Sequence, residues 1–204
     1  MKRNSKFALL AIGLAVWSFG LTSAVAHEGH HNAEAAPNPI HGESIFNLSS
    51  KWTSQNEKLI RLKDLRGRPA ILAMVYTSCE SACPLIIEDL KKIEKKLSLS
   101  ARQRFSILLF SFDSKRDTPK RLKAYGESRK LDLNRWALYH GAEHAVRELA
   151  AVLGIRFKRE TNGGFGHSNV ITLIDSEGLV QYQQLGLNQD PSEFLLKAEE
   201  LSSK

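Results

Sequence analysis

The hydrophobic pattern of the chain changes period around one short segment. Residues 70 to 76 (Ala-Ile-Leu-Ala-Met-Val-Tyr) are apolar without alternation, the signature of a strand buried on both faces. After Pro84 the apolar residues Ile86, Leu90, Ile93 and Leu97 recur at helical spacing, and Pro84 suits a first helical position, where a missing N–H costs nothing. The segment between, Thr77-Ser78-Cys79-Glu80-Ser81-Ala82-Cys83, is therefore a strand-to-helix loop. Downstream, residues 105 to 112 predict a second buried strand, Thr118-Pro119 a helix start running to about Lys130, and Trp136 to His140 a third strand. A helix follows over residues 142 to 153, stopped by Gly154. Ile155 to Lys158 predicts a short strand, and the glycine-rich run from Thr161 to Gly166 a loop that delivers His167. Val170 to Ile174, the turn Asp175 to Gly178, and Leu179 to Leu185 form a hairpin. Asp190-Pro191-Ser192-Glu193 reads as a capping box opening a last helix through Phe194, Leu195 and Leu201.

The apolar triplets Ile45, Phe46, Leu48 and Leu59, Ile60, Leu62 read as a small hairpin ahead of the main strand. The order is then a β-hairpin, three βα units, a second hairpin and a helix. This predicts an α/β fold, a central sheet flanked by helices with an added N-terminal β-hairpin. The cysteine loop lies at the C-terminal end of a central strand, where such sheets place their sites.

The N-terminal 43 residues stand outside this pattern. Lys2, Arg3 and Lys6 precede an apolar stretch to Leu21 and then Ala24-Val25-Ala26, the layout of a secretory signal peptide over residues 1–26, cleaved after Ala26. If uncleaved, that segment would associate the protein with a membrane. Residues 27–43 form an arm without apolar periodicity, and His27, His30, His31 and His41 account for four of the seven histidines. Imidazoles suit copper, zinc and nickel, so the arm fits a secondary metal site at His27, His30 and His31; it fits an incidental solvated tail equally. The remaining 44–204 make one domain, and 42% hydrophobic with 25% charged residues is ordinary globular composition.

Losing Lys2, Arg3 and Lys6 with the leader lowers the formal charge from +7 by three, to +4. That bias favours acidic partners weakly. No arginine-rich run with interleaved aromatics supports nucleic-acid binding. Export makes a disulfide the default for two cysteines, yet a bridge between Cys79 and Cys83 closes so small a loop that it constrains the unfolded chain little. The pair is better suited to reversible redox chemistry or to one soft metal ion, and its three-residue spacing differs from the two-residue spacing of thioredoxin-type loops.

Three segments in this order, Thr77-Ser78-Cys79-x-x-x-Cys83-Pro84, Asp113-x-x-x-Asp117-Thr118-Pro119, and His167 before Ile-Thr-Leu-Ile-Asp-x-x-Gly, resemble the Sco/SenC family of copper chaperones for cytochrome oxidase assembly. The likeness spans about residues 44 to 200. It implies a thioredoxin-like fold, copper as Cu(I) and Cu(II) held by Cys79, Cys83 and His167, and acidic positions Asp113 and Asp117 associated with partner docking. Asp113 and Asp117 also fit a plain role as acids near a helix N-terminus. The resemblance implies delivery of copper to a respiratory oxidase subunit, its binuclear copper centre. The alternative is a periplasmic thiol-disulfide oxidoreductase in which Cys79 and Cys83 are the catalytic redox pair, reducing the recipient's cysteines and recharged by a thiol reductant protein. Only copper binding requires His167. Peroxidase chemistry is disfavoured, because Leu72 and Tyr76 stand at the peroxiredoxin-like proline and threonine positions.

Overall fold

The computed structural model describes residues 43–161 and 163–203. The expected signal peptide, residues 1–26, and the histidines His27, His30, His31 and His41 lie outside the described residues.

The cysteine loop leaves a central strand. The strands are β1 (Lys51–Ser54), β2 (Leu59–Arg61), β3 (Ala70–Val75), β4 (Ser106–Ser111), β5 (Trp136–Gly141), β6 (Phe157–Arg159), β7 (Phe165–His167), β8 (Val170–Ile174) and β9 (Val180–Leu185). The helices are α1 (Ala82–Lys96), α2 (Leu99–Arg104), α3 (Pro119–Ser128), α4 (Glu143–Val152) and α5 (Ser192–Ser202). Seven strands form one sheet in the order β2-β1-β5-β4-β3-β8-β9. All six residues of β3 are buried, as its unbroken apolar run demands. β3 is parallel to β4 and antiparallel to β8, and β4 is parallel to β5. α1 lies in the β3 to β4 crossover and α3 in the β4 to β5 crossover. The fold is a thioredoxin-like α/β sheet with an N-terminal hairpin added beyond β5.

That hairpin is β1 and β2, and β1 docks antiparallel on β5. The ring of Trp52 fills the junction, edge-on to Phe110 at 4.8 Å. Gly141 makes this fit, because a Cβ there would lie 2.6 Å from the Trp52 ring.

Several expectations are corrected. Ile45 and Phe46 are not strand residues but a 3-10 turn, capped by Ser44 Oγ accepting from the Phe46 N–H. The turn is pinned to the β8–β9 connection, where Gly178, at φ +80°, leaves room for Ser44 and the Phe46 ring. The short helix α2 has no sequence periodicity because it buries only Ala101. α5 begins at Ser192 without a side-chain cap; Asp190 instead accepts from the Ser192 N–H and hydroxyl. The glycine-rich run is the turn of a two-stranded sheet, β6 with β7, so His167 ends a strand rather than a loop.

Candidate metal centre

α1 starts two residues earlier than Pro84 suggests. Cys83 therefore lies within the first turn, fully buried, and Cys79 in the loop just before it is 4% exposed. The first turn of a helix leaves its N–H groups without intrahelical partners. One of them, on Cys83, donates to Cys79 Sγ at 3.3 Å. At the other end of the loop the Tyr76 N–H donates to Cys83 Sγ at 3.5 Å. The two cysteines are free rather than joined in a disulfide.

The two sulfurs divide one proton. The Cys83 thiol donating to it, aided by the Cys83 and Ser81 amides and the Tyr76 hydroxyl, outweighs burial and lowers Cys79 to about 4. Cys83 is pushed far up, first by that same bond to Cys79, then by its burial, and further by the charges of Cys79 and Asp117. At neutral pH the pair is a Cys79 thiolate beside a Cys83 thiol.

His167 reaches the pair from the β6–β7 sheet. Its Nε2 lies 3.9 Å from Cys83 Sγ, and its Nδ1 is 3.1 Å from the Ser168 carbonyl. A proton on Nδ1 donated to that carbonyl leaves the Nε2 lone pair facing the sulfurs. The ring packs on Phe112 with centroids 4.8 Å apart. The ligand atoms of Cys79, Cys83 and His167 all lie within 4.8 Å of one another. Around a single ion, at bond lengths of about 2.0–2.3 Å, three donors stand about 4 Å apart, so small side-chain adjustments close this group on a metal. Two sulfurs and one imidazole suit a soft ion.

Asp113 and Asp117 do not lie on the surface. Both are fully buried, which corrects their expected place on a docking surface. Asp117 accepts from the Thr77 N–H at 2.9 Å, the Thr77 hydroxyl at 2.5 Å and the Ser111 hydroxyl at 2.6 Å. It thus ties the start of the cysteine loop to the end of β4. Asp113 accepts from the Lys115 and Arg116 amides and is ion-paired with the Arg116 and Arg159 guanidinium groups. Burial pushes the Asp113 carboxyl up, but the Arg116 and Arg159 interactions prevail and hold it below the usual range.

The sequence did not single out Tyr76, Arg116 or Arg159. Tyr76 accepts the Phe165 N–H at 3.3 Å and supports the Cys79 thiolate, joining β7 to the cysteine loop. Its place between an apolar run and the first cysteine was the available signal; Arg116 and Arg159 carry none in a chain this rich in cations.

A family model described as SCO1/SenC matches residues 41–201. A Stutzerimonas stutzeri protein, whose name assigns it copper binding by inference, is 28% identical over 130 residues, 61% of this chain and 61% of that relative. The SCO1 protein homolog of Bacillus subtilis (strain 168) is 24% identical over 151 residues, 71% of this chain and 76% of that protein. The crystal structure of a SCO1/SenC family lipoprotein from Bacillus anthracis str. Ames superposes with a TM-score of 0.68 at 22% identity, covering 78% of this chain and 96% of that one.

Proposed function

The chain belongs to the SCO1/SenC family, and from this membership and its thiolate–imidazole pocket we propose that it is an exported copper carrier. The carrying observation is the convergence of Cys79, Cys83 and His167 within 4.8 Å. Copper is the cargo: Cu(I) held chiefly by the two sulfurs, Cu(II) with a larger share taken by the imidazole. The name of the Stutzerimonas relative supports the choice of metal. The recipient is an exported copper site, the binuclear centre of a cytochrome c oxidase subunit. The carrier works in the periplasm, free after cleavage at Ala26 or held at the membrane by residues 1–26. Asp113 and Asp117 serve recognition indirectly, by shaping the two loops around the site.

The test is competition between the reduced mature protein and a Cu(I) chelator. One tightly held ion per chain is expected, with Cys79→Ser and Cys83→Ser each losing most of the affinity. Full affinity in both single variants would refute the site.

A second reading has its own observation. A Cys79 thiolate beside a protonated Cys83 is an attacking thiol with a resolving partner. Cys79 would attack a disulfide of the recipient and expel one of its sulfurs as a thiolate. Cys83 would give its proton to that sulfur and displace the second from Cys79. The recipient leaves reduced, and Cys79–Cys83, left as a disulfide, needs a thiol reductant protein. Disulfide reduction by His167→Ala at the wild-type rate, with copper binding also unchanged, would favour this role.

A further inference from the structure

His167 reaches the cysteines from a part of the fold that does not belong to the main sheet. Among the described residues β6 and β7 pair as strands only with each other, with Phe157 opposite His167 and Arg159 opposite Phe165. Backbone pairing to the seven-stranded sheet therefore does not fix where the imidazole stands. Aromatic packing provides part of the hold: Phe157 lies on Phe112 at 5.1 Å, and Phe165 meets Tyr76 edge-on at 5.2 Å. Such packing is tolerant of sliding and leaves the register of the hairpin loosely defined.

Besides the Phe165 N–H bond to the Tyr76 hydroxyl, the directional contacts of the hairpin's turn and of β6 converge on one residue. Asp113, in the loop that follows β4, is fully buried and faces two guanidinium groups. Arg116 pairs with it and passes the connection to the hairpin turn, donating to the Gly163 carbonyl at 2.6 Å. Arg159, on β6, donates to Asp113 at 3.3 Å and lies over the Phe165 ring of β7 at 4.5 Å. One buried carboxylate thus holds the turn and both strands of the hairpin. Without it, the two guanidinium groups would lose the buried carboxylate they share, and the bonds that hold the turn and β6 to the loop would be cut.

We propose that Asp113 is a positioning residue of the metal centre: through Arg116 and Arg159 it latches the β6–β7 hairpin and sets the approach of His167 Nε2 to the cysteine sulfurs. This rests on the copper-carrier reading for the identity of the ion, but the latch itself is a property of the metal-free protein. Two variants separate the latch from folding of the loop. Asp113→Asn keeps an oxygen acceptor for the Lys115 and Arg116 amides and removes the charge. Arg159→Gln leaves that loop untouched and cuts the β6 arm together with the guanidinium contact to the Phe165 ring.

The experiment has two readouts on the mature protein. In the metal-free state, amide hydrogen exchange over residues 157–167 should speed up about tenfold or more in both variants, the factor expected when one charge-assisted bond is lost. With Cu(II) added, the nitrogen hyperfine coupling of the bound imidazole should weaken or vanish, as in His167→Ala, while Cu(I) affinity stays within about threefold because both sulfurs remain. Arg159→Lys, which keeps the charge, should restore much of both signals. Unchanged exchange and full nitrogen coupling in Arg159→Gln would overturn the latch, even if Asp113→Asn proved too unstable to study. Wild-type protein that lacks imidazole coupling while the variants show faster hairpin exchange would instead remove His167 from the copper reading and leave the latch standing.

Discussion

The backbone amide of Cys83 donates to the sulfur of Cys79 at 3.3 Å, so the helix that carries one cysteine stabilises the anion of the other. The thiolate absorbance near 240 nm should correspondingly show one ionised cysteine per chain between about pH 5 and neutrality, with a midpoint near the value of about 4 to which Cys79 is lowered. Cys79→Ser should abolish that step. Cys83→Ser should move the midpoint, since the sulfur donor that contributes most is replaced. A wild-type midpoint above pH 7 would contradict the geometry.

Asp117 bridges two strand ends with three accepted bonds and no cationic partner among them. Asp117→Ala leaves the buried Ser111 hydroxyl and the part-buried Thr77 donors without their acceptor, at a cost of about 2–4 kcal/mol. Urea unfolding of the metal-free protein measures this. The same variant should bind copper less tightly, because Thr77 anchors the loop that carries Cys79. A loss below about 0.5 kcal/mol would mean that water replaces the carboxylate freely.

Acid should weaken the fold through Asp113. Its folded-state carboxyl titrates below the ordinary aspartate range, so the unfolded chain takes up the proton first as pH falls. The contribution is complete above the unfolded value of about 4 and is lost progressively as pH drops through the folded one. Urea midpoints followed from pH 6 to pH 3 should therefore fall more steeply for the wild type than for Asp113→Asn. Parallel curves would exclude Asp113 as a source of acid sensitivity.

The parts of this architecture visible in the sequence are those set by periodicity and chemistry of neighbours. Strand β3 shows in its apolar run, α3 in its Thr118-Pro119 start, and the cysteine pair in its strand-to-helix loop, whereas the pairing of His167 with the cysteines comes from the family resemblance. Features that depend on distant residues were hidden. Ile45 and Phe46 look like strand residues until Gly178 receives them. Asp113 and Asp117 look like surface acids because, beside near neighbours such as Arg116 and Ser111, each has a partner some 40 or more residues away, Arg159 and Thr77. The β6–β7 sheet was half seen: the first strand was expected, but a Gly-Phe-Gly-His run has too few residues and too much glycine to declare the second.

The histidine arm can be tested separately from the core. If His27, His30 and His31 collect Cu(II), deleting residues 27 to 41 should remove a weaker second equivalent and leave the unfolding midpoint unchanged. That second equivalent should also fade as pH falls through the ordinary histidine range, because protonated imidazole is not a ligand. Identical stoichiometry and spectra with and without the arm would make it a tail only.

Proton release on metal binding examines the division of labour between the two sulfurs. At pH 7 Cys79 is already a thiolate, whereas Cys83 holds its proton against both its neighbour's charge and its own burial. A metal ion that takes both sulfurs must therefore expel one proton, from Cys83, and none from Cys79. Apparent Cu(I) affinity should rise by about tenfold per pH unit between pH 6 and pH 8, and calorimetry in buffers of different ionisation enthalpy should count about one proton per ion. Two protons released at pH 7 would mean that Cys79 is not ionised in the metal-free state, and none would mean that Cys83 is not a ligand. The Cys83→Ser variant provides the control: its weakened copper binding should follow pH only through the shifted Cys79 titration that the thiolate absorbance of the same variant records.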